Sequence, residues 1–539
     1  MKVLRPIPRA VSRPLTLLVL VAWGFQMATL LRRSYLQASS VTLAGDLARY
    51  GTAAQWKGIY YRGEKIGFSV GQTVPTADGY ELQEDGQIQM TLLGASTAAR
   101  IRTSAQVDKA FALRSFSFSL DPGTGAVEVK GALSEGGRRL DLTTKTAGGE
   151  RTETRRLEEP PALSLNLSRR LAAEGLKTGA HIQVAVFDPA TMRNATMTVD
   201  VEGREVVRAA DRPVPAFRVK TDFSGITSTS WVTDVGEVVR EESAMGLIVV
   251  KETRDQALAL AVPGDMQRDM LEAAAVAPAG PGRIDDPRLL DVLRLRVRGL
   301  PAPGPDLQGA GQTVTGDVFE IRDQTSAAAE AADPDAARFL DPEPFIESDD
   351  PEIRQEALKG IADAVGPRAQ AERLVRHVNF IVEKKPTVSL PSAREVLRTR
   401  VGDCNEHTVL YVAMARSLRI PSRIAVGLVY LHGAFYYHAW PEVYIEGPAG
   451  RGLWLPVDPT LNEFPADATH VRLARGGLDR QAAIIPLIGN IKMSVLEAQA
   501  RPGTTPVLVG RAPRDTRPIE IAFPRREGGG STCWSRPAR

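Results

Sequence analysis

From about Trp56 to Val250 the chain alternates apolar and polar positions in short runs separated by turn residues. In Arg114-Ser115-Phe116-Ser117-Phe118-Ser119-Leu120, the apolar Phe116, Phe118 and Leu120 fall on one side of an extended chain and the serines on the other. That period of two marks a half-buried strand, and Asp121-Pro122-Gly123 then turns the chain. Gly58–Tyr61, Ile66–Val70, Ile182–Phe187 and Trp231-Val232 have the same strand character. One helix is predicted near Leu163–Glu174, ended by Gly175. The region reads as a mainly β domain, either two packed sheets or one curved sheet. Its single histidine, His181, falls in a strand, and no catalytic constellation appears.

Residues 274–288 are rich in Ala, Pro and Gly and read as a linker. Strand-like Val292–Val297 and Asp317–Ile321 follow, and 325–340 read as exposed. Near Phe345 the apolar spacing becomes helical. Ser348-Asp349-Asp350-Pro351-Glu352 is a helix start with Pro just inside. Leu374, Val375, Val378 and Ile381 give a second helix its apolar stripe, and Ser392-Ala393-Arg394-Glu395 can form a capping box. Beyond Arg501 the Pro/Arg/Gly-rich tail is expected to be disordered. The resulting division is an N-terminal stub with an apolar segment over 1–40, the β domain over 41–273, a linker with a short β segment over 274–340, an α+β domain over 341–495, and a tail over 496–539.

An apolar run from Leu15 to Leu31 follows Lys2, Arg5, Arg9 and Arg13 and precedes Arg32-Arg33. Its length is the short limit of a membrane span. A secretory signal has the same basic start and apolar middle, and a buried helix is a third reading. Because no small-residue cleavage site follows, an uncleaved anchor is favoured. The excess of basic residues before the run puts the N-terminus in the cytoplasm and the body on the extracytoplasmic, periplasmic side. The rest of the composition changes little. Lys and Arg number 67 against 64 Asp and Glu, which is no basic footprint for nucleic acid. Two cysteines, Cys404 and Cys533, exclude a disulfide scaffold.

Candidate chemistry concentrates in three segments. Gly402-Asp403-Cys404-Asn405-Glu406-His407 opens an apolar helix that runs to Leu418. Unpaired amides and the dipole at a helix N-terminus favour a thiolate and can receive an oxyanion. Phe435–Ile445 reads as a strand carrying His438. Leu453–Thr460 reads as its neighbour, carrying Asp458. Adjacent antiparallel strands can bring His438 to Asp458, and a helix packed on them can bring Cys404 to His438. Nucleophile, base and orienting acid are then in the order that thiol catalysis needs. Trp440 and Glu442 share the face of His438, so either could line the site, and Glu442 could instead hold a neighbouring amide. His407 could line the cleft or hold a local hydrogen bond. Asp403 reads as a cap. His432 falls in a turn and His377 on a helix. Cys404 and His407 lack the second ligand pair of a structural metal site, so no metal or other cofactor is expected.

Gly402-Asp403-Cys404, His438-Ala439-Trp440 and Val457-Asp458-Pro459-Thr460, in that order, resemble the signature blocks of the transglutaminase-like superfamily, over roughly residues 340–490. The resemblance implies a papain-like α+β core, with the cysteine helix packed on an antiparallel sheet. It also implies Cys404 as nucleophile, His438 as general base and Asp458 as orienting acid. The wider context, with Asn405-Glu406-His407 and Asp467-Ala468-Thr469-His470, is similar to membrane-associated bacterial members. The expected reaction is acyl transfer through a Cys404 thioester on a peptide or carboxamide bond. Transfer to water makes a cysteine peptidase or amidase, and transfer to an amine makes a cross-linking enzyme. The alternative is a catalytically silent, envelope-anchored binding or scaffold protein. The partners expected are a peptide or protein substrate and the membrane.

Overall fold

The computed structural model describes residues 50–259 and 275–502, apart from short stretches within each. The apolar run 15–31 and the tail beyond 502 lie outside the described residues, as do the anchor and disordered-tail expectations placed there. Among the described residues no helix is long and apolar enough to cross a membrane.

The strand pattern of the first half resolves into one sheet of fourteen antiparallel strands, from β1 (Gln55–Tyr61) to β14 (Leu247–Glu252). Hairpins link successive strands into two arms, which meet where β1 pairs with β14, Trp56 opposite Glu252. The edges are β8 (Gly149–Arg156) and β9 (His181–Asp188). Helix α1 (Ser164–Glu174) lies between them in the chain, and Ala162 bridges Val186 just before it. Buried Asn166 ties this crossing in place: its Oδ1 accepts the Leu163 N–H at 2.7 Å, and its Nδ2 donates to the Phe111 carbonyl at 2.8 Å. The alternating Phe116, Phe118 and Leu120 face a core with Val129, Leu140, Leu142, Leu163 and Phe187. Burying each large apolar side chain stabilises by about 1.5–3 kcal/mol. A short helix, α2 (Arg254–Leu258), sets Ala257 on Trp56, Phe68 and Val70.

The stretch expected as a linker with a short β segment, 274–340, contributes three strands to a sheet. β15 (Leu290–Arg298), β16 (Gln312–Thr315) and β17 (Val318–Arg322) form a four-stranded sheet with the last strand of the chain, β25 (Lys492–Ala500). Leu293, Leu295 and Phe319 bury themselves with Met493 and Val495. Residues 496–500, placed in the tail from sequence, therefore belong to a strand. The alternation in β15 needed a partner, and that partner lies far along the chain, where local pattern does not reveal it.

A five-stranded sheet of order β18-β23-β22-β21-β24 is built from β18 (Glu330–Ala331), β21 (Ser422–Leu431), β22 (Ala434–Glu446), β23 (Arg451–Pro456) and β24 (Val471–Arg475). Helices α3 (Pro351–Ile361), α4 (Pro367–Ile381), α5 (Ala393–Thr399) and α6 (Cys404–Ser417) share one core with it. α6 is apolar nearly all round and buried from Glu406 to Ser417, as a central helix must be. Leu428, Phe435 and Val471 pack with the four-stranded sheet. Phe345 and Leu390 are buried in the core of the fourteen-stranded sheet, so the two halves share apolar packing.

Candidate active site

Helix α6 begins at Cys404 because Asp403 caps it. The Asp403 carboxylate accepts the Asn405 N–H at 2.8 Å, and the Glu406 carboxylate reaches back to the Asp403 N–H at 2.8 Å, which closes a capping box. Gly402 leaves room for this: a Cβ there would lie 2.2 Å from the Glu406 Cβ. The approach is further set by the parallel pairing of β20 (Val401–Gly402) with β19 (Glu383–Lys384).

β23 accompanies β22 only as far as Glu442 opposite Pro456. The Val457 N–H still bonds the Pro441 carbonyl at 2.9 Å, and the chain then turns, with mutual backbone bonds between Asp458 and Glu463. At Ala439 the first turn of α6 supplies partners instead. The Ala439 carbonyl accepts from Thr408 Oγ1 at 3.0 Å, and the Ala439 backbone N–H is near enough to Cys404 to lower its pKa. Cys404 thus sits against the residue that follows His438.

His438 Nε2 lies 2.7 Å from Asp458 Oδ2. The other carboxylate oxygen, Oδ1, accepts the N–H groups of Thr460 at 2.7 Å and Leu461 at 2.9 Å. Asp458 is fully buried. Burial alone would raise its pKa, but the charge and hydrogen bonds of His438 and His470 overcome this and hold it well below the usual range. Asp458 is therefore a carboxylate, and His438 Nε2 donates to it, leaving Nδ1 as the nitrogen open to a proton. Cys404 is only partly buried. Burial pushes its thiol well up, the Asp403, Glu406 and Asp458 charges push the same way, and the Ala439 N–H opposes them. A thiol held up in this way is activated by a neighbouring base.

Of the three tentative cleft residues, Trp440 does pack on the site. Its ring stands edge-on to His470 at 5.1 Å between centroids and lies 6.1 Å from His438. It is fully buried and keeps water from the imidazole–carboxylate side. His407 is buried on α6; its Nδ1 donates to the Asp403 carbonyl at 2.7 Å. Among the described residues its Nε2 has no hydrogen-bond partner, and burial lowers its pKa. Glu442 does not line the cleft. Its carboxylate takes Arg423 at 2.8 Å and Arg475 at 3.1 Å on one oxygen and Arg472 on the other. Arg472 and Arg475 also hold the backbone carbonyls of 306–309. Strand parity put Glu442 on the right face, but β24 brought the arginines. The rival bases lie elsewhere: His377 bonds Glu356 at 2.9 Å, and His432 occupies a positive-φ turn.

His470, immediately before β24, enters the sequence reading only as part of the Asp467–His470 block, with no role at the site. Its Nε2 lies 3.0 Å from Asp458 Oδ2, and its Nδ1 lies 3.1 Å from the Asp467 carbonyl and 3.3 Å from Asp467 Oδ1. No local spacing announces it; only the strand order places it there. The donor atoms of His438, Asp458 and His470 fall within 4.8 Å of one another, as do those of Glu463, Asp467 and His470. Both ring nitrogens of His470, common to the two groups, face oxygen atoms at hydrogen-bond distance.

Comparison with known proteins places this geometry. The sequence model of the transglutaminase-like superfamily matches residues 356–459. The chain carries a transglutaminase-like superfamily domain there. A candidate cysteine protease from Cytophaga hutchinsonii aligns at 17% identity and a TM-score of 0.25, over 38% of this chain and 81% of its own. A candidate protease from Parabacteroides distasonis aligns at 12% identity and 0.19, over 65% and 68%. A β-barrel-like protein from Brucella abortus, of a domain of unknown function, aligns at 13% identity and 0.29, over 37% and 94%. No curated protein sequence matches the chain significantly.

Proposed function

We propose that this protein is a thiol acyl-transfer enzyme acting on peptide or carboxamide bonds. One observation carries the reading: Asp458 holds His438 by Nε2, while α6, the helix that Cys404 opens, is bonded through Thr408 Oγ1 to the carbonyl of the next residue, Ala439. His438 Nδ1 takes the thiol proton as sulfur attacks the carbonyl carbon, and returns it to the leaving amine as the C–N bond breaks. The thioester then passes its acyl group to water or to a second amine, regenerating the thiol. The Cys404 N–H at the head of α6 is suited to the oxyanion. The substrate is a peptide or protein. The anchored, extracytoplasmic placement rests on the apolar run 15–31 alone, and membrane fractionation with and without residues 1–40 tests it.

The test of the chemistry is alkylation of Cys404 against pH in a Cys533→Ser background. We expect reactivity beginning well below the free-thiol value of about 8.5. In His438→Ala, burial and the carboxylates of Asp403, Glu406 and Asp458 meet only the weaker opposition of the Ala439 N–H, so titration moves above that value. Wild-type Cys404 that titrates like an ordinary thiol, indifferent to His438→Ala, would instead favour a binding protein using the same fold.

A further inference from the structure

Asp458 serves two histidines. A neutral imidazole has one N–H and one lone pair, yet both nitrogens of His470 face groups that accept. Nδ1 faces the Asp467 backbone carbonyl, which has no proton to give, so Nδ1 carries one. Nε2 faces Asp458 Oδ2 at 3.0 Å. Asp458 already receives the Thr460 and Leu461 amides and His438 Nε2, so it is ionised and accepts from His470 as well. The ring is an imidazolium and is almost fully buried, at 4% exposure. The direction of its titration agrees: burial alone would lower its pKa, but the hydrogen bonds and charges of Asp458 and Asp467 hold it well above the usual histidine value.

We propose that His470 is a positioning residue, a fixed buried cation that shares Asp458 with His438 and so sets the pH range in which the Cys404–His438 pair works. The inference rests on the thiol-enzyme reading above. A single imidazole on Asp458 would feel its whole charge. With His470 in place, Asp458, His470 and Asp467 together carry one net negative charge rather than two. The other charged or titratable groups around the pair are Glu463 (bonded to Arg288 at 3.1 Å), Lys384, His407, Asp403, Glu406 and Tyr437. Burial raises the pKa of Glu463 and lowers that of Lys384, and the ion pairs of Asp458 are with His438 and His470. The His438 and His470 ring centroids are 5.7 Å apart. At that distance one charge is worth about two pH units at an effective dielectric constant of about 20, and less at the more distant thiol.

The experiment uses the full chain with Cys533→Ser, measuring alkylation of Cys404 by iodoacetamide across pH. His470→Gln keeps an amide to donate to Asp458 and removes the charge. The thiolate becomes harder to form and the His438 imidazolium harder to discharge, so both apparent pKa values of the pair rise by about one to two units. Lower reactivity with both midpoints unmoved would make His470 merely structural and overturn the proposal. Loss of the wild-type response to His438→Ala would be a separate result, overturning the thiol-enzyme reading itself. Should His470→Gln fail to fold, the charge is read on intact protein by 15N histidine NMR. His470 should keep both ring nitrogens protonated well above neutral pH, and a neutral tautomer at pH 7 would overturn the proposal.

Discussion

Glu442 in β22 and Asp458 just past the end of β23 are both buried carboxylates, and their partners separate their tasks. Asp458 meets two imidazoles and two amides; Glu442 meets three guanidinium groups. Burial alone would raise Glu442, but Arg472, Arg423 and Arg475 bring it down to about 2, from 4.5. A folded value below the unfolded one stabilises fully above the unfolded value and is lost as pH falls through the folded one. The contribution of Glu442 is therefore present above about pH 4.5 and disappears towards pH 2. Glu442→Gln strands buried guanidinium charge and should cost about 3–5 kcal/mol, read by thermal unfolding at neutral pH, and should flatten the acid limb between pH 4.5 and 2. An unchanged melting temperature would refute this account of Glu442. The sequence displayed Cys404, His438 and Asp458 because each sits in a short local pattern. His470 and the arginines around Glu442 were hidden because their roles depend on which strand lies next to which.

Among the elements, the start of α6 is the most exposed to single changes. The capping box fixes where the helix begins and therefore where Cys404 stands. Gly402→Ala would drive a methyl into the Glu406 side chain at 2.2 Å, displacing Glu406 from the Asp403 N–H. We expect a loss of about 0.5–2 kcal/mol, the usual worth of a cap, accompanied by at least a tenfold fall in Cys404 alkylation at neutral pH. A stability loss with unchanged alkylation would show that the cap does not position the thiol. The helix start was legible because caps are local, and so was the alternation of strands in the first half. The partner of β15 was not, since an alternating run states that a strand needs a neighbour and not which one.

At the scale of the whole molecule, the catalytic body is pinned to the fourteen-stranded sheet by apolar packing. Phe345 is buried among the residues that Phe116, Phe118 and Leu140 also line. Phe345→Ala should cost about 3–5 kcal/mol and separate the unfolding of the two halves into distinct calorimetric transitions, whereas a single unshifted transition would contradict shared packing. The sequence divided the chain at its apparent linkers, and the structure joins what lies on either side of them through side chains that no periodicity assigns to a partner. One topological fact also bears on ancestry. Because β1 and β14 lie side by side, the polypeptide enters and leaves the large sheet at a single doorway. A whole module with that property can be lifted out of a gene, or exchanged for another, by rejoining two neighbouring ends, without rethreading what remains. The side chains of Phe345 and Leu390 are the stitches that such an exchange would have to remake.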